Sequence, residues 1–176
     1  MRKISASKVL CNTSRTVSFF HFDAMALEVS AAIIGILAAA GKVAETLGPI
    51  VSAYVNAPKH AQTILAEVGH TRTILSSLQA LLDNLVTSPS RRKELIQVDQ
   101  LIAALTDGVL LFSKLEALVS RLGEADPKAS TRIRARWARH KSELDALISR
   151  LVSFKISMDL MLNILRWLVF VVVLAA

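Results

Sequence analysis

The sequence predicts an all-α protein: an antiparallel helical bundle of about four long helices, the first kinked near Gly48-Pro49. Three observations predict it. Hydrophobic residues make up 53% of the 176 residues, at a mean hydropathy of +0.48, which is enough for one real core and too much for disorder. Leu, Ala, Ile and Val dominate. Aromatics are only 5%, and Gly and Pro number six and four, a mixture that suits long helices better than a β-sandwich. Apolar residues also recur at steps of three and four along most of the chain, the period of a helix with one buried face.

Residues 1–24 stand apart. They carry Arg2, Lys3, Lys8 and Arg15 against Asp23, with several Ser and Thr and no sustained helical period. Two readings fit: a basic, hydroxyl-rich, acid-poor mitochondrial presequence, or a disordered or mispredicted extension ahead of a true start at Met25. The second is preferred, because presequence resemblance alone is weak. The helical domain is expected over 25–166, followed by an apolar tail over 167–176.

The first helical region covers 25–56. Between Glu28 and Lys42 it is apolar nearly all round, so it is either central in a core or in contact with lipid. Those residues cover roughly 20 Å at 1.5 Å per residue, and a bilayer core needs about 30 Å, so a buried central helix is favoured. Pro49 lacks an amide hydrogen and crowds the preceding turn, so a kink or break is expected at Gly48-Pro49. The second helix starts at Asn56-Ala57-Pro58, with Pro at the first helical position. Its stripe is Ala61, Ile64, Leu65, Val68, Leu75, Leu78, Leu82 and Leu85.

The third helix follows Ser88-Pro89-Ser90. It carries Leu95, Val98, Ile102, Leu105, Val109, Phe112, Leu115, Val119 and Leu122, with Gly123 as a C-terminal stop. Gly108 sits inside it at a cost of roughly 1 kcal/mol relative to Ala, and close helix packing would explain its presence. The fourth helix starts at Asp126-Pro127 and runs through Ile133, Trp137, Leu144, Ile148, Leu151, Phe154, Met158, Met161 and Leu165. Short links between long helices imply antiparallel neighbours. Trp167 to Ala176 then contain no polar side chain, a liability if left in water. Ten residues are too short to span a bilayer, and extending back to Ile156 brings in Asp159, Asn163 and Arg166.

No catalytic chemistry is legible, and no enzyme activity, cofactor or metal is expected. Gly35 to Lys42 has five residues between its glycines where a phosphate-binding loop has four, and Val43 follows the Lys in place of Ser or Thr. His21, His60, His70 and His140 lie at no metal-binding spacing from one another or from Cys11, and His60 and His70 suit polar helix surface. The lone cysteine permits no internal disulfide and fits a reducing compartment. Asp99, Asp107 and Glu116 read as solvated helix surface. The net charge of +7 includes +3 from the leader alone, so nucleic acid is not an expected partner. The basic run Lys128, Arg132, Arg134, Arg136, Arg139 and Lys141 contains no acid. It reads first as a solvated helical start and second as a surface for anionic lipid or nucleic acid, of which anionic lipid is the retained candidate.

A resemblance enters on packing motifs. Met25 to Val43 (MALEVSAAIIGILAAAGKV), Ala57-Pro58-Lys59 leading into Ile64-Leu65-Ala66-Glu67-Val68, and Ile96 to Gln100 (IQVDQ) occur in order. They are followed by Phe112 to Glu116 (FSKLE), Arg136-Trp137-Ala138-Arg139 and Leu160 to Leu165 (LMLNIL). Together these resemble the fungal N-terminal domain of STAND, or NOD-like receptor, proteins. That domain type is also named for azaphilone pigment cluster protein L and is related to the HeLo-like group. The resemblance covers roughly 25–166 and carries over no catalytic residue. It implies a non-enzymatic helical signalling module that takes protein partners or self-associates through helical faces. The alternative it implies is a membrane-active, HeLo-like cell-death bundle whose first helix engages an anionic bilayer. On either reading the candidate membrane or partner surface is Leu27, Ile33, Ile34, Ile36, Leu37 and Val43. The expected location is cytoplasmic with membrane association open. The leader and the apolar ending depart from the family pattern, which leaves a stand-alone module and a truncated one both open.

Overall fold

The computed structural model describes residues 7–53, 58–86, 98–123 and 130–174, with side chains for 27–52, 58–84, 100–123, 135–167 and 170. Among the described residues only Pro58 and His140 lie outside helices. The elements are α1 (Ser7–Ala53), α2 (Lys59–Val86), α3 (Val98–Gly123), α4 (Ser130–Arg139) and α5 (Lys141–Leu174). The all-α bundle read from the sequence is the architecture found.

Cross-helix contacts fix the directions. Gln79 of α2 donates to Ser30 Oγ of α1 at 3.3 Å, so late α2 lies beside early α1 and the two run antiparallel. Lys42 meets Glu116 at 3.3 Å and Thr46 touches Gly123, so α1 and α3 run parallel. His60 pairs with Asp145 at 2.8 Å and Glu67 with Lys155 at 2.6 Å, so α2 and α5 run parallel. α1 packs on α2 and α3, and α5 packs on α2 and more lightly on α3. The four long helices therefore stand at the corners of a bundle with α1 and α5 diagonal. One end holds the C-termini of α1 and α3, the N-termini of α2 and α5, and α4. The other holds Leu27, the C-terminal part of α2, the start of α3 and the end of α5.

The core is one cluster drawn from every helix. α1 contributes Val29, Ile33, Ile36, Ala40, Val43, Leu47 and Ile50, at steps of three and four. Phe112 and Phe154 meet edge to face at a centroid distance of 6.2 Å, the geometry that aligns a positive ring edge with a negative ring face. Gly108 lies beside this pair. A Cβ there would stand 2.5 Å from the Phe154 ring and 3.0 Å from Ile36, so the absent side chain is what lets α3, α5 and α1 converge. Thr71, the one buried polar residue among those described, satisfies its hydroxyl on the Glu67 carbonyl at 2.8 Å.

Two boundaries differ from the sequence reading. α1 starts at Ser7, so it takes in most of the leader, where no helical period is legible. At Gly48-Pro49, where a kink or break is expected, there is no break: within the first helical region read over 25–56, α1 continues through Pro49 to Ala53. Pro49 is exposed while Leu47 and Ile50 on either side are buried, so packing holds the helix across one missing backbone bond. The long fourth helix is two, α4 and α5, joined at His140. Trp137 and Leu144 are buried on either side of this joint, and His140 meets Glu143 at 3.2 Å. No Gly or Pro marks it. Gly123 does end α3, but without a left-handed backbone; a Cβ there would lie 2.7 Å from Thr46, so close approach is its role. Asn56, Ala57 and the Ser88-Pro89-Ser90 and Asp126-Pro127 start signals lie outside the described residues.

Candidate interaction surface

The six residues singled out on the first helix divide between two faces. Leu27 and Ile34 are 72% and 61% exposed. Ile33, Ile36 and Val43 are core residues at 0%, 0% and 1%, and Leu37 is half-buried against the same cluster. They therefore form no single surface in the folded bundle. Ala31, Gly35 and Ala38 complete the outer face of the described N-terminal part, which carries the exposed Glu28 at its start and no further charge until Lys42 and Glu45. Leu27–Ser52, at a mean hydropathy of 1.7, is long and apolar enough to cross a membrane by length and composition. The shorter apolar stretch counted between Glu28 and Lys42 had argued against a span; tolerating those flanking charges lengthens it.

The basic run is also divided. The Arg136 guanidinium donates to the Arg121 carbonyl at 3.1 Å, covering a carbonyl in the last turn of α3. Such carbonyls lack an intrahelical donor, and the macrodipole makes them negative. Arg121 in turn approaches Glu143 at 3.7 Å. Arg139 and Lys141 are exposed. Arg132 and Arg134 lie on α4 with side chains outside those described, and Lys128 lies outside the described residues altogether. Arg136 thus ties α4 to the end of α3, and Arg121 ties that end to the start of α5.

A second apolar surface was not singled out from the sequence. Ile156, Leu160, Ile164, Trp167 and Phe170 of α5 are 59%, 60%, 50%, 62% and 61% exposed. They recur at steps of four and three on the face opposite Leu151, Phe154, Met158, Leu162 and Leu165, all of which are buried. The signal was present as a second helical stripe, offset from the first, but the core stripe alone satisfies the period and hides it. Asp159, Asn163 and Arg166 run along one flank, with Asn163 donating to Asp159 at 3.4 Å. On the other flank, toward α3, an open groove of about 260 Å³ is lined by Ser149, Arg150, Ser153 and Ser157 of α5 and Asp107 of α3.

The apolar outer faces of α1 and α5 lie on diagonal corners of the same end. Trp167 lies 26 residues along α5 from Lys141, roughly 40 Å at 1.5 Å per residue, so the apolar end and the basic end are opposite ends of the molecule.

Among the described residues no group of three His, Cys, Asp or Glu side chains stands close enough to hold a metal ion. His60 is paired with Asp145 across α2 and α5 rather than lying free on polar surface, and His70 is exposed. Glu116 is paired toward α1 while Asp107 faces the groove, so these two acids share no site. His21 and Asp99 have side chains outside those described. Among the described residues the fold and surface define a class, an all-α four-cornered bundle with basic residues gathered toward one end and exposed apolar faces on α1 and α5 toward the other. Comparison with family models, with curated proteins and with solved structures gives no match.

Proposed function

We propose that this chain is a non-enzymatic helical interaction module that works by binding protein partners through its apolar end. The observation that carries the reading is the outer face of α5, five large apolar side chains half or more exposed. Exposed contiguous apolar surface on a folded domain marks a binding face, because water disfavours leaving it bare. Helical faces of this kind are covered by partner helices. The resemblance to the N-terminal domain of fungal NOD-like receptors supports the same reading and adds a signalling role.

The alternative is a membrane-active, HeLo-like bundle acting on anionic lipid. Its supporting observation is the length and hydropathy of Leu27–Ser52. Two features weigh against it. Ile33, Ile36 and Val43 hold the core together, so turning α1 to lipid would open the bundle between α2 and α3. The basic residues also stand at the far end from the apolar outer faces, so one bilayer surface does not meet both end-on. Vesicle flotation tests the choice. The full chain mixed with phosphatidylcholine vesicles, with and without phosphatidylserine, is expected to stay with the soluble fraction. Flotation with phosphatidylserine vesicles, lost when Ile34 and Leu160 are changed to Glu, would replace the interaction module with the membrane reading.

A further inference from the structure

Resting on the interaction-module reading, we infer that the partner for the outer face of α5 is the same face of a second copy of this chain, the two helices running antiparallel about a two-fold axis beside Asn163. The stripe is close to palindromic about that position. Ile156 and Phe170 lie seven residues to either side of it, Leu160 and Trp167 lie three before and four after, and Ile164 is adjacent. An antiparallel two-fold pairing therefore sets aromatic ends against aliphatic ends: Phe170 on the second copy's Ile156, Trp167 on its Leu160.

The charges give the direction. Asp159 and Arg166 are seven residues apart, two helical turns, and so share one flank of the stripe. A two-fold axis perpendicular to both helices brings like flanks together. Centred beside Asn163, it sets Asp159 of each copy opposite Arg166 of the other, twice over. A parallel pairing brings unlike flanks together and leaves both charges facing the serine flank at Ser157. Among the described residues of one chain Arg166 is exposed and makes no ion pair or hydrogen bond, while Asp159 has the long contact from Asn163. The pairing supplies a partner for both. The isologous arrangement is the commonest way a chain closes on itself, and opposite charges across an interface fix register more than they add affinity. A lipid surface would instead have to accommodate Asp159 beside the apolar stripe, which is costly in hydrocarbon.

Five large apolar side chains per copy are fewer than the roughly 20–30 residues a side of a stable interface, so the association is expected to be concentration-dependent. Sedimentation equilibrium of the full chain is expected to show a monomer–dimer system. Asp159→Arg and Arg166→Asp are each expected to weaken it about ten-fold, and the double swap to restore it. Both positions are exposed, and circular dichroism checks that the variants remain helical. In a Cys11→Ser background, Ile156→Cys and Phe170→Cys chains are expected to form a mixed disulfide with each other in preference to self-linking. A chain monomeric at every concentration would overturn the second copy as partner. Dimers indifferent to both charge changes, or Ile156→Cys linking to itself, would overturn the antiparallel register. None of these outcomes touches the broader module reading, which stands or falls on flotation.

Discussion

From Lys141 to Ser153 the outer face of α5 carries Ser142, Asp145, Ser149 and Ser153; from Ile156 onward it carries Ile156, Leu160, Ile164, Trp167 and Phe170. Its inner face does not change along the same length, with Leu144, Leu147, Leu151, Phe154, Met158, Leu162 and Leu165 all buried. The fold therefore makes the same demand of both halves, and the difference lies wholly on the side the fold does not use. α1 repeats the pattern, apolar outside around Leu27 and Ile34 and polar by Lys42 and Glu45. Apolar character that packing does not require is the surest sign in this molecule of a surface kept for something else.

That contrast can be broken or sharpened by substitution. The largest effect belongs to the inner side. Phe112→Ala, which empties a fully buried site and removes the edge contact to Phe154, is expected to cost about 3–5 kcal/mol by denaturant unfolding. Leu151→Ala, also fully buried, is expected to cost about 2–5 kcal/mol in the same assay. The Glu67–Lys155 pair bridges α2 and α5 at 2.6 Å with both side chains mostly buried. A double-mutant cycle to Ala is expected to give a coupling of about 1 kcal/mol, above that of most exposed pairs. Arg136→Ala is expected to cost about 1 kcal/mol, since it uncovers a carbonyl at the end of α3. Leu160→Ser is expected to change the unfolding free energy by less than about 0.5 kcal/mol in dilute solution, because its site is outside the core. A cost for Leu160→Ser approaching that of Leu151→Ala would erase the distinction between the two faces.

The core was legible because burial imposes a period. The stripes of the second, third and fourth helices contain Ile64, Val68, Leu75, Leu105, Phe112, Leu115, Trp137, Leu144 and Leu151, all buried, while Val109 of the third helix's stripe is 40% exposed. Period alone could not divide α1 between Glu28 and Lys42, where nearly every residue is apolar; Ile33 and Ile34 look alike in sequence, and only packing puts one inside and the other outside. The joint at His140 carries no Gly or Pro and is flanked by the buried Trp137 and Leu144, a matter of tertiary packing. The continuation of α1 through Pro49 depends in the same way on the buried neighbours Leu47 and Ile50. The close approaches at Gly108 and Gly123 were suspected only at the first, because a glycine near a helix end reads equally well as a stop. The basic run was read as one patch, but Arg136 is drawn off by a backbone carbonyl that no sequence pattern announces.

The two tryptophans divide the molecule as its surfaces do. Trp137, 2% exposed and with no partner for its indole N–H among the described residues, sits at the basic end, and Trp167, 62% exposed, sits at the apolar end. Each end thus carries its own fluorophore, one shielded and one open to solvent. A water-soluble quencher such as iodide would reach Trp167 and spare Trp137, so occupancy of the apolar end and integrity of the core can be followed separately by the light of one unlabelled chain.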